Sequence, residues 1–407
     1  MIDGYRRWLR AKYDTVAALS AAWRRPLASF EEAHPPARLE AASRDDLPAL
    51  LEWLAFADSR IPPEDHRGAL DYLDDVMPAW SAGGDADPLY HRVRIAAREL
   101  CGTGAFPSAG NACRDVLPPG TGPDATDFAL RAALMHGAAT DPVPNNADTG
   151  GLAPLLALLR AAPWQADRKL LILYPRVCAH LKQVAEKSRP AANDQPAFGF
   201  ERAIQTAGPQ LLKKIIDLTA RARFPFAVGD TRVPLEVMGG YPLVICPTLE
   251  VLSGGAAVKL ERYVTGGGFL AIGPRIPVMD ETMRRDDTLA RHFAQGLSEF
   301  ALEVVHAGRG AFLTLPGHVS AATIEFLAFE SGLARGLTAD APGIDSAVHR
   351  SGARRLLWVA NPTHSVAEAT MSGEPVSELR SVATGERRPA RSTLPIPPGS
   401  VTAWEVF

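Results

Sequence analysis

The sequence has few cysteines, little net charge and no long apolar run, and each shortage excludes a class of protein. Four cysteines in 407 residues are too few for a disulfide scaffold. With 43 basic and 46 acidic residues the net charge is −3, so no basic field attracts nucleic acid or an anionic membrane surface. The longest apolar runs, such as 152–159 and 170–174, fall far short of the ~20 residues that span a bilayer.

Markers of metal binding and of export are also missing. No cysteines are spaced as C-x-x-C and no two histidines stand at i, i+4, so we expect neither a metal nor a cofactor. The first ten residues, MIDGYRRWLR, are charged and amphipathic and contain no apolar signal-peptide core. We therefore predict a cytoplasmic protein without a nucleic-acid or membrane partner.

The first 150 residues are predicted to be mainly helical at the start and irregular later. Tyr5, Trp8, Leu9 and Tyr13 form a one-sided apolar stripe. Further helices are predicted at 16–23, 47–56, 66–77 and 126–135, and one strand at 93–97. Four tryptophans of this region could stack on a sugar, but tryptophans on a helix stripe are more often core residues than sugar-stacking platforms: Trp8, Trp23, Trp53 and Trp80.

The rest of the chain divides into an alternating α/β region and an all-β region. Short apolar strands at 169–175, 224–228, 242–247 and 268–274 alternate with amphipathic helices. This alternation predicts a parallel sheet covered on both faces, and it is the best-supported part of the fold class. From about residue 340, strands at 355–360, 376–382 and 401–407 without helical periodicity predict a small antiparallel β domain.

Two features that resemble catalytic motifs have simpler explanations. The glycines at 266–268 follow a helix and precede a strand, the reverse of the order in a phosphate-binding loop, so they are predicted to end the helix. Cys246 lies at a strand end but is followed by Pro247 and lacks a Gly-x-Cys-x-Gly elbow, which indicates a buried, inert thiol.

Glu99 is the carboxylate that we single out. It follows the strand-like VRIAA and precedes the glycines of LCGTG. Catalytic acids of a (β/α) barrel stand at the carboxyl ends of strands, although a surface or N-cap glutamate fits the same pattern.

Three separated stretches resemble the β-galactosidases of glycoside hydrolase family 42 (GH42) and stand in the family's order. The opening YRRWLRAKYDTVAALSAAW (5–23) is similar to a helix pair of the family barrel, which reads roughly F-x-x-W-L-x-x-K-Y-G-T-I-x-x-L-N-x-A-W. YPLVICPTL (241–249) and LERYVTGGG (260–268) resemble the family's glutamine-amidotransferase-like domain. The tail LPIPPGSVTAWEVF (394–407) resembles its C-terminal β domain.

The resemblance implies a domain plan and a reaction. It implies a partial (β/α) barrel over 1–150, an amidotransferase-like trimerisation domain over 151–338 and a small β domain over 339–407. The activity implied is retaining hydrolysis of β-galactosides, with Glu99 as nucleophile, a carbohydrate substrate and a homo-oligomer, specifically a trimer.

The resemblance also implies that part of the barrel is missing. The family's acid/base glutamate follows barrel strand four, upstream of the helix pair with which this chain opens, so we assign no acid/base and expect truncation at the N-terminus. Two other functions stay open. The chain is either a non-catalytic remnant that oligomerises or binds a partner, or a small-molecule binder at the crevice near Thr248 and Pro274.

Overall fold

The computed structural model describes residues 1–60, 99–100, 123–135, 152–188, 199, 208–293 and 302–407. Ten α-helices lie in these residues: α1 (Ile2–Tyr13), α2 (Val16–Trp23), α3 (Leu47–Ser59), α4 (Pro123–Met135), α5 (Ala153–Arg160), α6 (Arg176–Lys187), α7 (Gly208–Arg221), α8 (Leu235–Met238), α9 (Gly254–Thr265) and α10 (Ala321–Glu330). None of the described helices is long and apolar enough to cross a membrane.

Sixteen strands accompany these helices in the described residues. They are β1 (Glu99–Leu100), β2 (Gln165–Ala166), β3 (Leu170–Tyr174), β4 (Phe226–Asp230), β5 (Leu243–Thr248), β6 (Phe269–Pro274), β7 (Val304–Ala307), β8 (Gly310–Thr314), β9 (Thr338–Asp340), β10 (Asp345–Ser351), β11 (Arg354–Asn361), β12 (Ala367–Ser372), β13 (Glu378–Ser381), β14 (Arg387–Pro389), β15 (Leu394–Ile396) and β16 (Ser400–Val406). The structure is thus mixed α/β with several sheets.

The N-terminal helices α1, α2 and α3 form where the sequence predicted them. Thr15 caps α2 by accepting a hydrogen bond from the Ala18 backbone N–H at 3.2 Å. Tyr5 is buried against Trp53 and Phe56, with ring centroids 5.2 Å apart in both pairs. The prediction that these aromatic residues are core is confirmed for the described ones, whereas Trp80 and the predicted helix 66–77 lie outside the described residues.

A seven-stranded sheet, ordered β1-β4-β3-β5-β6-β8-β7, forms the centre of the structure. Every pair in it is parallel except β7 with β8. Helices cover both faces, because α7 and α10 pack on one apolar side and α9 packs on the other. The predicted parallel sheet covered on both faces is confirmed.

The sheet reverses its direction of growth at β3. From β3 the chain crosses to β4 on one side and then to β5 on the other. The crevice between β3 and β5 is therefore a topological switch point, the usual ligand position in open α/β sheets.

The C-terminal part is antiparallel, as the sequence predicted. A six-stranded sheet, β14-β13-β16-β11-β10-β2, lies beside a three-stranded sheet, β15-β12-β9, with a shared apolar core. Its other face carries α4 and α5, whose apolar residues pack on Trp358 and its neighbours. Strand β2 and helix α4 thus join the β sheet although they precede residue 339 in sequence. The division at residues 150 and 338 remains a prediction.

Candidate functional site

The backbone of Glu99 lies at the edge of the seven-stranded sheet. Strand β1 runs parallel to β4, with Glu99 opposite Val228 and Leu100 opposite Gly229. Glu99 was predicted to follow a barrel strand over residues 93–97, which lies outside the described residues, and in the structure Glu99–Leu100 forms the edge strand of the parallel sheet. Both strands end at the carboxyl edge of the sheet, where α/β proteins place ligands. The nucleophile role of Glu99 stays a prediction.

A buried cluster of ionised side chains lies at the same carboxyl edge. Arg176, the first residue of α6, donates from Nε and Nη2 to the two oxygens of Asp58, at 2.7 Å each. His180, one helical turn further on, donates from Nε2 to Asp58 Oδ2 at 2.8 Å. At the end of β4, Asp230 accepts from the backbone N–H of Arg232 at 2.7 Å and from its Nε at 2.8 Å.

The electrostatics of this cluster favour the anionic form of Asp58. Burial opposes ionisation of Asp58, but hydrogen bonds from His180 and Arg176 outweigh it and hold the pKa of Asp58 well below its usual range. Burial lowers the pKa of His180, against the raising effect of Asp58. A retaining glycosidase needs one neutral carboxylic acid to protonate the leaving group. Asp58 is therefore unsuited to that role, and its hydrogen bonds join α3 to α6.

Glu52 on α3 has the opposite electrostatics. Its side chain is 2% exposed, and burial raises its pKa despite the nearby Lys12. Lys12 Nζ donates to its Oε1 at 2.9 Å, and the Tyr13 hydroxyl donates to the same oxygen. Lys12 Nζ also contacts Glu281 at 3.3 Å, which links the N-terminal helices to the loop after β6. Glu52 favours protonation as a general acid does, but it is shielded from solvent.

We expect Glu52→Leu to destabilise the protein by about 2–3 kcal/mol, because Tyr13 and Lys12 lose a buried acceptor. Glu52→Gln keeps an acceptor and is expected to cost about 1 kcal/mol. Urea unfolding of the two variants and the parent measures both values. Equal losses of stability in the two variants would show that the hydrogen-bond acceptor of Glu52 contributes little and that side-chain packing accounts for the loss.

The crevice between β3 and β5 is filled by side chains. The cavity there measures about 10 Å³ and is lined by Tyr174, Cys178, Leu212 and Thr248 among others. That volume is about the ~10–15 Å³ needed by one water molecule. Thr248 donates from Oγ1 to the Arg275 carbonyl at 2.7 Å and accepts from the Gly273 N–H at 3.1 Å. This cavity is therefore too small for any ligand larger than a water molecule, and it does not support the predicted small-molecule binder near Thr248 and Pro274.

The two described cysteines are inert, as predicted for Cys246. Both are buried, and burial raises the pKa of Cys178 to about 12 and that of Cys246 further still. The glycines after α9 end that helix, as predicted, with Gly266 as its C-cap and Gly267 at φ +118°. No group of three or more metal-ligating side chains occurs in the described part of the chain.

Sequence reasoning did not identify the charged side chains at the carboxyl edge of the seven-stranded sheet or the buried glutamate of α3. Asp58 and Arg176 are 118 residues apart, and only the packing of α3 on α6 brings them together. Glu52 left a weak signal, because it is the one charged residue in the apolar stretch LPALLEWLAF (47–56). A lone carboxylate on an apolar helix face needs a partner when it is buried.

Several solved structures share this arrangement of sheets and helices. Solved structures with this fold include a catalytic mutant of the GH42 β-galactosidase Gan42B from G. stearothermophilus, with TM-score 0.59, 13% identity and coverage of 99% of this chain and 75% of that one. The cold-adapted β-galactosidase from Rahnella sp. R3 matches with TM-score 0.62, 12% identity and the same coverage.

A GH42 exo-carrageenase from Bacteroides ovatus is also similar, with TM-score 0.54, 11% identity and coverage of 99% of this chain and 62% of that one. No protein-family profile and no curated protein sequence matches the chain. The chain therefore has a GH42-like fold, as its sequence resemblance predicted. Identities this low establish the fold alone.

Proposed function

We propose that this protein is a glycoside hydrolase of the β-galactosidase type, acting by the retaining mechanism with Glu99 as nucleophile. The observation that carries the proposal is the match of 99% of the chain to the fold of GH42 β-galactosidases. The position of Glu99 at the carboxyl end of a parallel strand is compatible with it, because substrates of α/β proteins approach that edge.

The proposed reaction proceeds in two displacements. The Glu99 carboxylate attacks the anomeric carbon while an acid protonates the departing oxygen, and water then hydrolyses the glycosyl-enzyme with that acid acting as base. The two carboxyl groups must stand about 5–5.5 Å apart. We assign the acid to no residue. Asp58 and Asp230 each pair with an arginine side chain, and the Glu52 side chain is buried away from solvent.

The substrate class follows from the structures that share the fold. Two of those described above are β-galactosidases and one is an exo-carrageenase. We therefore propose a β-galactoside as first substrate, with related β-glycosides as the next to be tested.

The test is hydrolysis of a chromogenic aryl β-galactoside by the full chain and by Glu99→Ala. We expect a loss of turnover on the order of 10⁴-fold or more, because the attacking atom is gone. Glu368→Ala is the matched control, since Glu368 is an exposed glutamate on strand β12. Added azide should restore release of the aryl alcohol in Glu99→Ala by attacking the anomeric carbon from the vacated side, which gives the α-glycosyl azide.

If Glu99→Ala leaves the turnover unchanged, Glu99 is not the nucleophile, although the protein is still a hydrolase. No turnover by the well-folded parent on any aryl glycoside would contradict the hydrolase proposal.

A second function, a non-catalytic oligomerising remnant, is favoured by one observation. The described carboxylates at the carboxyl edge, Asp58 and Asp230, are bound by arginine side chains instead of facing open space. This function predicts that the chain is inactive and that its mass, measured by light scattering, is that of a homo-oligomer. The resemblance to the family implies a trimer. An inactive monomer would contradict both functions.

A further inference from the structure

A large cavity among the described residues lies away from the carboxyl edge. It measures about 400 Å³, within the ~300–1,000 Å³ range of small-molecule sites. One wall comes from α4 and α5, and the other from the turn after β13 and the segment leading into β16. No lining residue belongs to the seven-stranded sheet, so the cavity is separate from Glu99.

The charged groups of this cavity form two ion pairs on opposite walls. On α4, Arg131 donates from Nε to Asp127 Oδ2 at 2.7 Å. On the β domain, Arg388 donates from Nε to Glu386 Oε1 at 2.8 Å. Each arginine has five N–H donors and each carboxylate about four acceptor sites, so both pairs keep unused hydrogen-bonding capacity.

The remaining lining combines apolar surface with neutral groups. Pro154 and Leu155 line the helical side, and Pro395 and Pro397 line the β side. The Trp404 indole N–H is already donated to Thr402 Oγ1 at 3.1 Å, so this ring contributes apolar surface only. The two acidic and two basic side chains cancel, and the cavity carries no net formal charge.

A neutral ligand with many hydroxyl groups and an apolar face fits these walls. Hydroxyl groups both donate and accept, so one ligand hydroxyl can bridge to a carboxylate and its neighbour to a guanidinium. A phosphate or a carboxylate ligand would be repelled by Asp127 and Glu386, because the arginines of the cavity only balance these two carboxylates and leave no excess positive charge. A purely apolar ligand would desolvate both ion pairs without replacing their water.

We propose that this cavity is a second carbohydrate-binding site, which takes a neutral mono- or disaccharide and holds it between Asp127–Arg131 and Glu386–Arg388. The choice of a saccharide among neutral polyhydroxylated ligands rests on the proposed function. The site itself rests on the cavity and its ion pairs. Its role is to hold substrate or product on the protein at a distance from the reacting carboxylates.

The test measures lactose binding by saturation-transfer NMR and calorimetry on the full chain carrying Glu99→Ala, in which the disaccharide is not consumed. We expect Arg388→Gln and Asp127→Asn each to weaken binding about tenfold, since each removes hydrogen bonds to a charged group. Arg285→Gln is the matched control, because Arg285 forms an equivalent pair with Asp287, two residues away, at 2.9 Å. Digalacturonate serves as the charged probe.

Lactose binding whose affinity and stoichiometry by calorimetry are unchanged in both cavity variants, or that Arg285→Gln weakens equally, overturns the proposal. So does the absence of lactose binding, or a preference for digalacturonate. Thermal unfolding of each variant separates lost binding from lost folding, and Glu386→Gln provides a second, exposed substitution on the β wall. Failure of aryl galactoside hydrolysis with cavity-dependent lactose binding would contradict the proposed function and leave this site standing.

Discussion

Replacing Asp58 by asparagine should lower the free energy of unfolding by about 3–5 kcal/mol, because the substitution breaks a buried ion pair and removes the carboxylate that balances the charge of the arginine partner. Asp58 is 14% exposed and receives two hydrogen bonds from Arg176 and one from His180. Asparagine keeps the shape but not the charge, so the Arg176 guanidinium loses the carboxylate that it pairs with most directly. Urea unfolding followed by far-UV circular dichroism measures the loss.

Asp45→Asn is the matched control for Asp58→Asn. Asp45 also pairs with an arginine, Arg24, at 2.8 Å, but its side chain is 69% exposed. An exposed pair of this kind contributes about 0–1 kcal/mol. Losses of equal size at the two positions would contradict the special role of the buried cluster.

Removing both partners should cost less than removing one. In the double variant Asp58→Leu with Arg176→Met, no buried charge of the pair is left alone, so we expect recovery of much of the lost stability. A double variant as unstable as the sum of its single variants would mean that Asp58 and Arg176 act independently.

The contribution of Asp58 should depend on pH with a definite sign. Its pKa is depressed in the folded protein, so its stabilisation is present above the unfolded value of about 3.9 and is lost as the pH falls below it. The difference in stability between the parent and Asp58→Asn should therefore narrow below about pH 4.

The fold was predictable from local pattern where each segment is periodic on its own. The strand LLILY (170–174) is apolar throughout because helices cover both of its faces, and its sequence alone predicts that burial. Helix α2 was predictable from Thr15 and its apolar residues. The pairing of strands that are distant in sequence was not predictable. Strand β2, for example, has only two residues, and no pattern in them predicts its place beside β10.

The candidate site was less predictable than the fold, because its geometry depends on contacts between separate elements. Glu99 was singled out from its local sequence, yet only the structure places its strand beside β4. Asp127 and Arg131 were predictable as a helical i, i+4 pair, but the turn that brings Glu386 opposite them is not encoded near either residue. Local sequence therefore identifies candidate side chains, and tertiary packing decides which of them meet.

Acidification should destabilise the protein well above the range of its carboxyl groups, because His349 is buried as a neutral imidazole. His349 on β10 is 4% exposed and contacts the Met135 carbonyl through Nε2 at 2.9 Å. Burial, with a smaller contribution from the nearby Arg168 cation, lowers the pKa of His349 to about 4, although the hydrogen bond to the Met135 carbonyl opposes the shift. The carbonyl can only accept, so the neutral tautomer carries its proton on Nε2.

The sign of this dependence follows from the lowered pKa. The unfolded chain binds the proton near pH 6.5 and the folded chain only near 4, so the stabilisation is complete above pH 6.5 and is lost as the pH falls towards 4. The full loss is about 3 kcal/mol. Burial also lowers the pKa of His180, which contributes a loss of the same sign in this range.

His349→Gln should remove this part of the acid dependence. Glutamine can still donate to the Met135 carbonyl but does not titrate, so unfolding free energies at pH 7 and pH 4.5 should differ less in the variant than in the parent. His364→Gln, at an exposed position, is the control and should change nothing. Parallel pH profiles for the parent and His349→Gln would contradict the argument. Protonation keeps the Nε2–H donor, so the loss comes from burying a cation between α4 and the β sheet and not from breaking the hydrogen bond that joins them.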